Sequence, residues 1–147
     1  MSFADDYAHL EDFLKADPEY ARISSEVTRL TKLCNETSQQ AEKATRNYHK
    51  WMCCEAALEA KAGDIYDDGH LGFLGLSCDL VSEYLGDGEK MFERMKRAEL
   101  AKAGEASQVW LQADEDLEFA RVSYSKVRIA LVQAYRDKQA ADKESAQ

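Results

Sequence analysis

The sequence contains very little proline and no long hydrophobic run. Pro18 is the single proline among 147 residues, and only seven residues are glycine. The β-branched and aromatic residues that sheets need are thinly spread, whereas charged residues reach 32%. No apolar stretch approaches the roughly 18 residues of a membrane span. These absences predict an all-α protein without a membrane span.

An excess of basic residues is also missing. The net charge is −9, and the surplus acid lies in two segments, residues 1–19 and residues 63–88. Two acidic segments repel phosphate backbones and anionic lipid surfaces, so nucleic acid and membranes are not expected as primary partners. A basic protein surface remains allowed.

Features of secreted proteins are absent as well. The first twenty residues carry six acids and no apolar core of a signal peptide. Of the four cysteines, Cys53 and Cys54 are adjacent in a predicted helix and cannot bridge each other easily. We interpret them as small packed side chains rather than as a redox or acylation site. The sequence predicts a cytoplasmic protein with reduced cysteines.

A seven-residue apolar repeat dominates the second half of the chain, over residues 89–138. One track of this repeat contains four large side chains, and the track beside it is mostly alanine. The two tracks are Trp110, Leu117, Tyr124 and Leu131, and Phe92, Ala106, Ala113, Ala120, Val127 and Ala134. This spacing is typical of a coiled-coil seam on one long helix.

A matching repeat covers residues 18–62, beginning where Asp17 can cap a helix whose first residue is Pro18. Gly63 is the expected end. The two long helices predict an antiparallel hairpin, in which the alanines around Ala113 approach Ala41 and Ala44 closely. Breaks are possible near Asn35–Ser38 and at Gly104.

Shorter segments complete the predicted single helical domain of residues 1–147. We expect a short N-terminal helix at about 5–15, a connector with a short apolar helix at about 71–85, and a frayed tail at 139–147. The short helices would thicken the hairpin into an elongated three- to four-helix bundle.

No catalytic motif, phosphate-binding loop or metal-ligand set is recognisable. The best candidate ligands for a divalent cation are Asp64, Asp67, Asp68 and His70. Their spacing does not match an EF-hand loop, so we interpret them as a solvated acidic connector. We therefore expect no metal and no cofactor, and an enzyme is the less favoured class.

The favoured function is a non-catalytic protein–protein interaction module, acting as a scaffold, adaptor, chaperone-like protein or inhibitor. A two-helix rod leaves apolar side chains on its flanks, which a second copy or another protein would cover. The candidate interaction residues are Leu33, Met52, Val109, Phe119, Ile129 and Val132. The alternative is a small-molecule or cofactor-binding bundle lined by Tyr48, Trp51, Trp110 and Tyr124. An enzyme using the acidic connector is a third possibility.

Overall fold

Helix is the only regular structure in the part of the chain that the structure describes. The computed structural model describes residues 3–67 and 78–147, with side chains at residues 5–63, 83 and 85–147. Within these backbone ranges, every residue before Ala146 except Asp17 is helical. The prediction of an all-α protein is confirmed.

Three helices make up this structure. Helix α1 spans Phe3–Ala16, α2 spans Pro18–Asp67, and α3 spans Cys78–Ser145. Helix α2 passes through Asn35–Ser38 without a break, and α3 passes through Gly104 in the same way. Neither weak point in the sequence interrupts its helix.

The boundary between α1 and α2 forms as the sequence predicts. Asp17 Oδ1 accepts a hydrogen bond from the Tyr20 backbone N–H at 2.9 Å, and Pro18 follows at the first helical position, where its missing N–H leaves no partner unsatisfied. The Asp17 N–H donates to the Leu14 carbonyl at 3.1 Å. Asp17 therefore ends one helix and caps the next.

Two predicted helix ends are wrong, at Gly63 and at the frayed tail. Helix α2 continues past Gly63 to Asp67, because a glycine inside a long helix costs only about 1 kcal/mol and each added residue gains a backbone hydrogen bond. Helix α3 continues past Lys138 to Ser145. Gln139 Nε2 donates to the Tyr135 hydroxyl at 3.0 Å in this last part of α3.

The predicted boundary between a short helix at about 71–85 and a long helix from residue 89 is also wrong. Residues 78–85, expected at the end of a separate short helix, are the first turns of α3, and residues 71–77 of that predicted helix lie outside the described residues. A Cβ at Gly88 would lie only 2.7 Å from Leu58 Cδ2. This glycine therefore permits close packing between helices and does not end one.

Contacts divide the chain into two compact units. We call Met1–Glu36 with Trp110–Gln147 the terminal unit, and Thr37–Val109 the middle unit. The sequence predicts a single domain, and this stays a prediction.

The terminal unit has an apolar core of large side chains. Leu30 and Cys34 of α2 form one buried cluster with Ala113, Leu117 and Ala120 of α3. Val27, Leu33 and Trp110 pack against this cluster. Helix α1 adds the fully buried Leu14 and a ring contact of 5.3 Å between the centroids of Phe13 and Tyr135.

The middle unit buries smaller side chains. Its buried residues among those described are Thr37, Ala44, Ala62, Glu99 and Ala106. The half-buried rings of Trp51 and Phe92, whose centroids are 6.0 Å apart, extend this interior.

Candidate functional site

The cation ligands suggested by the sequence are four side chains of the predicted acidic connector. The side chains of Asp64, Asp67, Asp68 and His70 lie outside the described residues. Among the side chains that are described, no group of three or more metal-ligating residues comes together.

A groove lies between α2 and α3 in the terminal unit. It has a volume of about 530 Å³. Apolar side chains line it from both helices, and charged side chains lie beside them. The lining residues are Glu19, Arg22, Ile23, Glu26 and Leu30 of α2, and Asp116, Phe119, Ala120, Ser123, Lys126 and Val127 of α3.

The apolar lining belongs to the same helix faces that form the core. Ile23, Leu30 and Ala120 are buried, and Val127 is half-buried. A floor of this kind can accept another apolar helix face, since ridges of one helix pack into the groove between two others.

The groove's charges have mixed sign. On α2, Arg29 lies just outside the lining and forms a two-point ion pair with Glu26, with oxygen–nitrogen distances of 2.7 and 2.9 Å. The hydrogen bonds from Arg29 lower the pKa of Glu26, and the Glu26 carboxylate raises the pKa of Arg29. The Asp116 carboxylate of α3 also raises the pKa of Arg29. Arg29 therefore lies within electrostatic reach of the groove.

Phe119 is the most exposed large apolar side chain of the described residues. It lines the groove, yet 77% of its surface is accessible to water. A phenyl ring in water beside a packed apolar floor is unfavourable, because its burial would remove apolar surface from solvent. This residue combines an exposed ring with an adjacent cavity.

The other predicted interaction residues are divided between the two units. Ile129 is exposed in the terminal unit, where Leu33 and Val132 are half-buried, and Leu33 packs against the core cluster. Met52 and Val109 are exposed in the middle unit. Of the six candidates, only Phe119 lines the groove.

Sequence reasoning missed the groove's charged residues. Asp116 belongs to an acidic run, and Lys126 is one of many basic residues on α3, so neither stands out along the sequence. Their common position beside one cavity depends on how α2 packs against α3. A helical-wheel comparison of both long helices at the same level would have been the available signal.

A polar network that the sequence did not reveal joins all three helices of the terminal unit. The hydroxyls of Tyr20 and Tyr124 are 2.9 Å apart, Arg128 donates to the Tyr124 hydroxyl at 3.5 Å, and Arg128 lies 3.8 Å from a Glu11 oxygen. The hydrogen bond with Tyr124, together with burial, raises the pKa of Tyr20 to about 12. The hydrogen bond with the same hydroxyl raises the pKa of Arg128.

The middle unit contains a charged cluster around Lys96. Its Nζ lies 2.6 Å from Glu55 of α2 and 3.2 Å from Glu93 of α3, while Arg97 bonds Glu93 at 3.0 Å. The hydrogen bond to Glu55 is the largest cause that raises the pKa of Lys96, and Lys96 and Arg97 lower the pKa of Glu93. Each charge here has an opposite partner, which is typical of structural ion pairing.

The cysteine and aromatic alternatives receive little geometric support. Cys34, Cys53 and Cys54 are not in disulfide bonds. Cys34 is buried and Cys54 is half-buried, but Cys53 is exposed, so the interpretation of Cys53 as a packed side chain is wrong. Trp110 packs against the apolar core of the terminal unit.

Comparisons with known proteins supply no relative. No family model, curated protein or solved structure matches the chain. Within the described ranges, no helix is long and apolar enough to cross a bilayer. The function is therefore inferred from the groove of the terminal unit and its residues.

Proposed function

We propose that this protein is a non-catalytic helical interaction module that associates with a second copy of itself or with another protein through the groove of the terminal unit. Cytoplasmic residence is part of the proposal and rests on the sequence. Scaffold, adaptor, chaperone-like and inhibitory roles all require such a surface.

The observation that carries the proposal is the position of Phe119. Its ring is exposed at a groove whose neighbouring residues Ile23, Leu30 and Ala120 are buried. Exposed rings next to preformed apolar cavities are typical of protein-binding surfaces, where aromatic side chains contribute much of the binding energy.

The proposed arrangement of the terminal unit is a coiled-coil-like pairing of α2 with antiparallel α3, to which α1 adds a third helix. The contacts that support it are the hydroxyl pair of Tyr20 with Tyr124 and the packing of Leu30 and Cys34 beside Leu117 and Ala113. Partner numbers along α3 fall as those along α2 rise. A groove beside two such helices offers the place of a further helix.

The charge pattern of the groove argues against catalysis there. Its acids and bases line an open apolar surface, and the described lining residues include no histidine, cysteine or paired carboxylates aimed at one point. Recognition of another helix needs only this combination of apolar floor and charged border.

The proposal is tested by replacing Phe119 in the full chain and measuring what copurifies from the native cell. Phe119→Ser should lose the bound proteins, including untagged copies of the chain, while helix content stays unchanged by circular dichroism. Leu111→Ser is the matched control, because Leu111 is exposed on α3 but does not line the groove. Retention of every bound protein by Phe119→Ser would contradict the proposal.

A further inference from the structure

The charged residues of α2 beside the groove are arranged symmetrically about Ser24. Glu19 lies five residues before Ser24 and Arg29 lies five after it. Arg22 lies two residues before Ser24 and Glu26 lies two after it. Each equidistant pair combines one acid with one base, so this face is complementary in charge to an antiparallel copy of itself.

On α3, side chains that line the groove are likewise arranged symmetrically about the level of Arg121. Asp116 lies five residues before this level and Lys126 lies five after it. Phe119 and Ser123 lie two residues before and after it. An antiparallel copy would therefore place each acid opposite a base and the large exposed ring opposite a small side chain.

The two centres lie at the same level of the terminal unit. Tyr20 meets Tyr124 through their hydroxyls, and Leu30 shares a cluster with Leu117. Between these contacts, Ser24 falls level with about residue 121 of α3, because both helices rise about 1.5 Å per residue. A single axis perpendicular to the two helices can therefore run level with both centres, in front of the groove.

We propose that the groove is occupied by the groove of a second copy of this chain, related to the first by a two-fold axis that runs between the two copies, level with Ser24 of α2 and Arg121 of α3. The inference rests on the proposed function and names its partner. An axis perpendicular to both helices sets each helix antiparallel to its own copy, as an isologous interface requires.

This arrangement pairs the side chains beside the groove across the interface. Asp116 faces Lys126 of the second copy, and Phe119 covers Ser123 of the second copy; each pairing occurs twice. On α2, Glu19 faces Arg29 and Arg22 faces Glu26 in the same way. The pair of Glu26 with Arg29 within one chain is exchanged for pairs between chains.

A partner of strongly acidic or strongly basic character fits less well. The charged lining residues are three acids, Glu19, Glu26 and Asp116, and two bases, Arg22 and Lys126. This near balance gives no strong attraction to a surface of one sign. Complementarity lies in the order of the charges, which a second copy matches at every position.

The size of the groove predicts a reversible dimer. Eleven residues line it, whereas stable interfaces typically use about 20–30 residues a side. The dimer should therefore dissociate on dilution, and its ionic border should make it weaker at high salt.

Charge reversal on the full chain, followed by sedimentation velocity over a concentration series, tests the register. Asp116→Lys and Lys126→Asp should each raise the dimer dissociation constant by at least about tenfold, because like charges then meet twice. The double variant restores both pairs and should return to within about threefold of the wild type. Glu118→Lys is the matched control, since it leaves the helix about 200° from Asp116 and should change nothing.

A second measurement maps the register directly in the unmodified chain. A carbodiimide couples a carboxylate to an amine only when the two are in contact, and mixing unlabelled with ¹⁵N-labelled chains identifies links between copies. The expected mixed-isotope product joins Asp116 to Lys126.

Several outcomes overturn this inference. They are a monomeric wild type, a double variant that stays dissociated while its helix content is intact, or the absence of the mixed-isotope product. If Phe119→Ser still loses its copurifying proteins in such a case, the proposed function stands and only the partner and register are wrong. Unchanged copurification by Phe119→Ser rejects the function itself.

Discussion

The terminal and middle units use the same two helices but have different interiors. The terminal unit buries large apolar residues such as Leu14, Ile23 and Leu117. Among the side chains described in the middle unit, the buried residues are three alanines with Thr37 and Glu99. The comparison indicates that apolar packing stabilises the terminal unit most, while ion pairs and half-buried rings contribute more in the described part of the middle unit.

The largest effect should come from removing a core side chain of the terminal unit. Leu30→Ala deletes a side chain that is 3% exposed and should cost about 2–5 kcal/mol of the free energy of unfolding through lost burial and a cavity. Urea unfolding followed by circular dichroism measures the free energy of unfolding of the wild type and of Leu30→Ala.

The control for this prediction is Leu58→Ala in the middle unit, where Leu58 is only half-buried. Its cost should be smaller by at least about 1 kcal/mol, because less apolar surface is lost. Equal costs would remove the proposed difference between the two interiors.

Overpacking should have the next largest effect. Ala113 is 3% exposed within the core cluster, so Ala113→Leu should destabilise the protein by about 1–3 kcal/mol. An unchanged melting temperature would mean that this face of α3 is not packed. Ala98→Leu serves as the control, since Ala98 is exposed on the same helix.

The hydrogen bond between Tyr20 and Tyr124 should contribute less to stability than the core side chains do. Tyr20→Phe removes the hydroxyl that bonds Tyr124 and should cost about 0.5–1.5 kcal/mol, the usual net value of one hydrogen bond. Tyr48→Phe, at a half-buried tyrosine of the middle unit, is the comparison and should cost less.

The same pair predicts a pH dependence. The pKa of Tyr20 is raised from 10.0 to about 12 in the folded protein, so the folded state holds this proton more tightly than the unfolded state. The stabilisation is present below pH 10 and is lost as pH rises towards 12. Phenolate absorbance should show one tyrosine titrating late, and Tyr20→Phe should abolish that late step.

Glycine substitutions in the middle unit should have the smallest effects. Gly86→Ala meets no atom within 4 Å and should stabilise α3 by about 0.5–1 kcal/mol through helix propensity. Gly88→Ala places its Cβ against Leu58, so it should gain less or become destabilising. Equal gains at both positions would contradict the close approach of Leu58 to α3.

Much of the secondary structure could be predicted from the sequence because its signals are local. The cap at Asp17, the proline at the first position of α2 and the heptad tracks each depend on residues within one or two turns. Glycine misled the prediction at Gly63 and Gly88. Gly63 has open space where a Cβ would lie and α2 continues through it, whereas Gly88 permits the close approach of Leu58.

The groove could be predicted only in part. Phe119 stood out because it is a large apolar residue off the seam, and it does line the groove. The proposed pairing of Asp116 with Lys126 lies between two copies of the chain, and the bond between Tyr20 and Tyr124 joins residues 104 positions apart in sequence. A single sequence gives no direct signal for such separations.

The proposed dimer depends on association of two copies of the protein through the groove at Phe119. Sedimentation velocity of the wild type, Phe119→Ser and Leu111→Ser over the same concentration series tests it most directly. If two copies associate through this groove, the wild type and Leu111→Ser shift to a faster-sedimenting species as concentration rises, whereas Phe119→Ser remains slow. Identical sedimentation of all three proteins at every concentration would contradict it.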